Sequence, residues 1–123
     1  MSNKSTKFDY DAENDILFIY DSKKKSKGSI EYGKDIHISF SSKGELTGLE
    51  FLNASEMFHE LFGREISKEK LSNIEACNLW DGKKRGLRMI KFACLFSQKE
   101  RPLDGQLVMQ DINFKSPILA VAR

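Results

Sequence analysis

Cysteine is scarce in this chain of 123 residues: there are two, Cys77 and Cys94, and no CxxC pair. Histidine is as scarce, with His37 and His59 and no HxxxH. Metal-ligand spacing is therefore missing, and neither a metal nor a cofactor is expected. Each cysteine sits in an apolar-rich run, Ala76-Cys77-Asn78-Leu79 and Phe92-Ala93-Cys94-Leu95. Buried free thiols are the expectation, since cysteine packs as a small hydrophobe; a disulfide would require export. The stretch from Met1 to Lys7 is polar and lacks the apolar core of a signal peptide. No run approaches the ~20 apolar residues of a membrane helix. The cytoplasm is the expected compartment, without membrane contact. A strong charge of one sign is also missing: 20 basic and 18 acidic residues leave a net +2. A dedicated nucleic-acid binder usually carries a larger basic excess, so overall charge selects no polyanion, although local clusters still could. There is no P-loop, no dinucleotide-binding glycine motif and no nucleophile elbow.

What is present is the material of a folded domain. Hydrophobic residues make up 40% and charged residues 31%, which argues against disorder and for a well-solvated surface. The length fits one domain, read as a short polar tail over residues 1–6 and a single domain over 7–123. The clearest pattern is Asp35-Ile36-His37-Ile38-Ser39-Phe40-Ser41, a strand with Ile36, Ile38 and Phe40 on its buried face. Lys43-Gly44 offers a turn, and Glu45 to Leu52 returns as a strand in which Gly48 predicts a bulge or a close backbone approach. Upstream, Lys7–Tyr10 and Asp15–Tyr20 form a hairpin around Ala12–Asn14, the second run apolar on both faces; Ser29–Tyr32 is a further strand. Downstream, Asn53 with Glu56 resembles a capping box that opens a helix closed by Gly63. Ser67 caps a second helix, which runs to about Glu75. Strands resume over Ala76–Trp80, Leu87–Phe96 and Gln106–Phe114, with turns expected at Asp81-Gly82 and Asp104-Gly105. The apolar run Ile118–Ala122 is expected to dock rather than stay free. The fold class is α+β: mainly an antiparallel sheet of about eight strands, curled or barrel-like, with two short helices inserted midway.

Residues 8–55 carry a recognisable order of motifs. Tyr10-Asp11 followed by Asp15 and Leu17-Phe18-Ile19 resembles the opening of the family called domain of unknown function 2283. The run Gly44-Glu45-Leu46-Thr47-Gly48-Leu49-Glu50-Phe51-Leu52-Asn53-Ala54-Ser55 is similar to that family's Gly-x-x-x-Gly-Ile-Glu-x-x-x-Ala-Ser. Longer archaeal relatives share the resemblance. It implies a short module without assigned activity, and, because some members are encoded beside small toxin-like proteins, an antitoxin-like or partner-binding role. The chain departs from the pattern at Ser42 and Lys43, where the family has acidic residues, in its lysine-rich connection, and everywhere after Ser55. Read physically, Tyr10, Asp11, Asp15, Gly44, Gly48, Glu50, Ala54 and Ser55 are expected to be fold signatures. Asp11 and Asp15 would satisfy turn amides, and Glu50 would meet a basic side chain or a neighbouring backbone.

Candidate chemistry fails mostly by spacing. Asp35, His37 and Ser39 share the polar face of one strand about 7 Å apart, whereas a nucleophile and its base must lie within about 3 Å. Asp9, Asp11, Glu13 and Asp15 lack the loop pattern of a calcium hand and read as a solvated turn. No enzyme is expected. Two basic clusters remain, Lys23, Lys24, Lys25 and Lys27 in one loop, and Lys83, Lys84 and Arg85 in another. If they meet on one side they form a phosphate-binding patch, and proximity of Lys84, Arg85 and Arg88 to an exposed Trp80 would favour RNA or single strands. Their bland reading is two solvated loops. Leu87–Phe96 is apolar on both faces and needs a cover, by the helix pair or by another subunit. The first reading is thus a binding module acting by protein–protein contact, as a homodimer. The alternatives are an RNA-, DNA- or ribosome-associated protein using the lysine loops, and the antitoxin-like partner.

Overall fold

The structure is a computed structural model that describes residues 5–111. Its elements in chain order are β1 (Thr6–Asp11), β2 (Ile16–Asp21), β3 (Gly28–Tyr32), β4 (Ile36–Phe40), β5 (Leu46–Phe51), α1 (Ala54–Phe62), α2 (Lys68–Ser72), β6 (Ala76–Lys84), β7 (Leu87–Leu95) and β8 (Leu103–Gln110). The expected antiparallel architecture with two short helices midway is present. Among the described residues it does not close into a barrel but forms two open sheets, a five-stranded sheet A ordered β1-β2-β5-β4-β3 and a three-stranded sheet B ordered β6-β7-β8.

Alternation sets the core. Ile36, Ile38 and Phe40 are buried on β4 as expected, as are Leu17 and Ile19 on β2. The opposite face of β2 is covered only in part, by the stacked rings of Phe18 and Tyr20 with centroids 4.8 Å apart. On β7, Ile90, Phe92 and Cys94 enter the core, where Phe92 meets Phe51 of sheet A at 4.9 Å and Phe58 of α1 at 6.1 Å. Sheet A and the first helix therefore cover one face of β7, and Leu87, Met89, Lys91, Ala93 and Leu95 point away from the core. Cys77 and Cys94 are buried, unbridged and opposite each other, with sulfurs 3.5 Å apart. The contact with Cys94, together with burial, pushes the Cys77 thiol well above its ordinary range.

Several local expectations give way to tertiary packing. Asp81-Gly82 is no turn: β6 continues to Lys84, and the turn is Arg85-Gly86, both at positive φ (53° and 79°) as a two-residue hairpin loop requires. Asp104-Gly105 likewise lies within β8, directly paired with Ala93-Phe92. Gly105 is there because a Cβ would fall 2.6 Å from the Phe92 ring. Gly48 shows the expected close approach, here of the Phe18 ring at 2.9 Å, beside a register shift at Ser39/Phe40. Asn53 sits at φ 51° and makes no side-chain cap. The capping group of α1 comes from elsewhere in the chain. Ser67 caps α2 through Lys70 N, and α2 ends at Ser72 rather than near Glu75. At the N-terminus Ser5 is buried and Thr6 opens β1, whereas residues 1–4 of the expected tail lie outside the described residues. So do Phe114 and the run Ile118–Ala122. Among the described residues no helix is long and apolar enough to cross a membrane.

Candidate nucleic-acid interface

The two lysine clusters come to one end of the molecule. β2 and β4 both finish there, so the β2–β3 loop (22–27) and the β4–β5 turn (41–45) lie side by side. The loop is pinned at its base. Lys27 N donates to Phe40 O at 2.7 Å, Ser26 Oγ and Thr47 Oγ1 lie 2.6 Å apart, and Lys23 N donates to Asp21 Oδ1 at 3.0 Å. Lys24 spans Asp21 (4.0 Å) and Glu45 (3.8 Å). Sheet B joins this end through Arg88, which donates through Nη2 to Gly44 O, and through Asp81, whose carboxylate accepts from Leu46 N at 3.3 Å. The β6–β7 hairpin runs on past that junction to its tip, with Lys83 3.7 Å from Asp111. Lys23, Lys25, Lys27, Lys84 and Arg85 are exposed. Lys43, on the turn between the clusters, is exposed too and completes the patch. It was readable as a turn residue, but only the pairing of β4 with β5 places it between two loops distant in sequence. Arg88 departs from expectation: it is buried on the inner face of β7, whereas Trp80 is on the outer face of β6. It cannot take part in stacking on Trp80. The acidic turn with Asp11, Glu13 and Asp15 lies at the other end of β2, about 20 Å away at the rise of a strand.

At that other end four motif residues form one network. Asp15 Oδ2 accepts from Ser55 Oγ at 2.6 Å, and the carboxylate accepts from Ser55 N at 3.1 and 3.2 Å. Tyr10 Oη donates to Oδ1 at 2.6 Å, and Ala54 N donates to the Asp15 carbonyl at 2.8 Å. Asp15, at φ 55°, thus supplies from a distant turn the N-cap that Asn53 does not. Burial is the largest effect on Asp15 and opposes its ionisation, but the Ser55 and Tyr10 hydroxyls and the Ser55 amide together outweigh it and hold the carboxyl below its ordinary range. Burial first, and then the Asp15 carboxylate, push the Tyr10 phenol up. Asp11 caps its own turn through Asn14, and Glu50 pairs with His37 Nδ1 at 3.1 Å.

Residues 7–55 match the family described as Protein of unknown function (DUF2283).

The matched segment comprises sheet A up to the first turn of α1, and the Tyr10–Asp15–Ala54–Ser55 network closes it. The Lys23–Lys27 loop and Lys43 belong to the segment; Lys83, Lys84 and Arg85 lie beyond it, so the cationic end is composite. An uncharacterized protein of Methanocaldococcus jannaschii is 45% identical over 53 residues, 43% of this chain and 45% of that protein. A Methanosarcina mazei protein, provisionally named a hypoxanthine phosphoribosyltransferase, is 37% identical over 70 residues, 57% of this chain and 51% of its own length. The chain spans about half the length of these curated relatives. No solved structure matches it.

The cap network has a measurable consequence. Asp15→Asn should cost about 1–2 kcal/mol at pH 7, read from urea unfolding. A carboxyl held low in the folded chain stabilises fully above its unfolded pKa and loses that contribution as pH falls through its folded value. The wild-type advantage over D15N should therefore be complete at pH 7 and shrink below about pH 4. An advantage that does not change with pH would mean the charge contributes nothing.

Proposed function

We propose that this chain is a non-enzymatic binding module that holds the phosphate backbone of a nucleic acid at its cationic end. The observation that carries the reading is the convergence of the Lys23–Lys27 loop, Lys43 and the Lys83–Arg85 tip on one end, with the acidic turn at the other. Of the acids at that end, Asp81 faces Arg88, Asp111 lies against both Arg88 and Lys83, and Asp21 and Glu45 meet Lys24, which leaves Lys23, Lys25, Lys27, Lys43, Lys84 and Arg85 turned to solvent. Phosphate contacts of this kind release counterions, so affinity should fall linearly with salt on a log–log scale. Lysines position a backbone without reading bases, so the mode is expected to tolerate any sequence.

The test is fluorescence anisotropy with a labelled RNA between 50 and 200 mM salt. Changing Lys23, Lys24 and Lys25 together to glutamate should lower affinity about tenfold or more and flatten the salt slope by roughly two units. Binding that ignores both salt and these changes would remove the reading.

A second reading, protein–protein contact through a homodimer, is supported by Leu87 and Val108, 44% and 43% exposed on the face of sheet B that no other described residue covers. Sedimentation of the wild type and of Leu87→Asp tests it: this second reading requires a dimer that the aspartate dissociates, and a monomer in both ends the idea.

A further inference from the structure

The outer face of sheet B is not explained by the cationic end alone. The register places Asn78, Trp80, Gly82 and Lys84 of β6 beside Ala93, Lys91, Met89 and Leu87 of β7, with Gln106 and Val108 of β8 on the far side. A groove of ≈ 890 Å³ runs over this face, lined among others by Asn78, Trp80, Met89, Lys91, Leu95 and Gln106. Trp80 is half-buried and lies directly across from Lys91. Two residues beyond Gly82 on the same face, Lys84 leads to the tip.

Gly82 is the second observation. The packing that demands glycine at Gly48 and Gly105 is missing here: among the described residues a Cβ at Gly82 would meet nothing closer than the Met89 carbonyl oxygen at 3.9 Å. A glycine inside a strand weakens it and often marks a bulge, a tight bend, or a place where a ligand or another backbone comes close. Its pairing with Met89 is regular, so no bulge accounts for it. The gap it leaves sits between the indole and the cationic tip.

We propose that this groove seats a single-stranded nucleic acid, a base stacking on Trp80 while its phosphates follow Lys91 and Lys84 toward Arg85. The proposal rests on the reading of the cationic end and names the ligand it would select. Stacking on an aromatic ring is open to any base with an exposed π-face, which a duplex does not offer. Charge complementarity favours this occupant over a second copy: Lys91 is in the wall, Lys84 follows Gly82 on the same face, and of the two acids that line the groove, Asp81 and Asp104, the first is held by Arg88. Asn78 and Gln106 bring amide donors and acceptors suited to base edges. Asp104, at the end away from the tip, is an acceptor for an exocyclic amino group and keeps phosphate at the other end.

Trp80 is the sole tryptophan, so its emission reports the groove directly. The probes are an unstructured 12-nucleotide RNA and a duplex of equal length at 50 mM salt. The single strand should quench Trp80 emission. Trp80→Ala and Gly82→Leu should each lower its affinity about tenfold, with Trp80→Phe restoring most of it. Duplex affinity should change less than about twofold in these variants, whereas K83E/K84E should weaken both ligands. W80A and G82L proteins that bind the single strand like wild type, or binding without a change in emission, would overturn the groove and leave the cationic end standing. Failure of both nucleic acids to bind would remove both readings. A wild-type dimer that G82L dissociates, with emission unmoved by RNA, would assign the face to a second copy and overturn the proposal.

Discussion

Replacing Arg88 by alanine is expected to lower the unfolding free energy by about 3–5 kcal/mol, a fall of roughly 10–20 °C in Tm. Its side chain is 1% exposed. Nε and Nη2 fork onto Asp81 at 3.0 and 2.9 Å, Nη2 also donates to the Gly44 carbonyl, and Nη1 reaches Asp111 at 3.5 Å. The guanidinium lies over the Phe40 ring, 4.7 Å from its centroid. One residue of sheet B thus satisfies a turn of sheet A, and the same Asp81 carboxylate takes the Leu46 amide. Truncation removes these bonds, strips the Gly44 carbonyl of its donor and leaves a cavity against Phe40. Asp81 and Asp111 are 26% and 31% exposed, so water can reach them once the cation is gone. That places the cost toward the lower end of the range. Arg88→Met, which keeps the volume, should recover part of the loss; Arg88→Lys should recover less than its charge suggests, because an ammonium cannot make the fork. Guanidinium unfolding of the three variants checks the order. An R88A protein within 1 kcal/mol of wild type would mean that the two sheets are joined by apolar packing alone.

How far the sequence announces this arrangement depends on the range of the interaction. Period-two alternation is local, and it was enough to place Ile36, Ile38 and Phe40 in the core and to separate the strands. Turn chemistry is local too, and it identified Gly44 and Gly63, both at positive φ. The misreadings share one cause. Asp81-Gly82 and Asp104-Gly105 look like turn dipeptides, yet Asp81 is the carboxylate that Arg88 requires and Gly105 makes room for a ring on the neighbouring strand. Asn53 looks like a cap, but the cap is Asp15, brought in by the β1–β2 turn. For Arg88 a signal was present: it is in phase with Ile90, Phe92 and Cys94, the side of β7 that turns to the core. The cationic end is legible as two loops. That they meet depends on which strands pair and on how sheet B lies across sheet A.

Gly105→Ala isolates the other long-range constraint and should cost about 2–3 kcal/mol. Alanine in place of a strand glycine ordinarily stabilises, by reducing the freedom of the unfolded chain. Here the new methyl carbon would fall 2.6 and 2.8 Å from Phe92 ring atoms. The ring has little room to retreat: it is fully buried, with Phe51 at 4.9 Å, Phe58 at 6.1 Å and Phe62 at 6.4 Å. Overpacking a filled core costs of order 1–3 kcal/mol, and the close approach puts this case near the top. An aromatic ring laid over a cross-strand glycine also pins strand register, so the clash falls on the pairing that fixes β8 against β7. The decisive comparison is a double-mutant cycle with Phe92→Leu. That change alone should cost about 1–2 kcal/mol for lost ring contacts. Combined with Gly105→Ala it should cost distinctly less than the sum, because the leucine leaves space for the methyl, with a coupling of about 1–2 kcal/mol. Additive losses would show that Gly105 is required for a reason other than the ring. Gly82→Ala is the control within the same sheet: with nothing among the described residues closer than 3.9 Å to its Cβ, it should be neutral or stabilising by up to about 1 kcal/mol. The opposite signs expected for these two glycines separate a residue that the core demands from one that the fold alone does not.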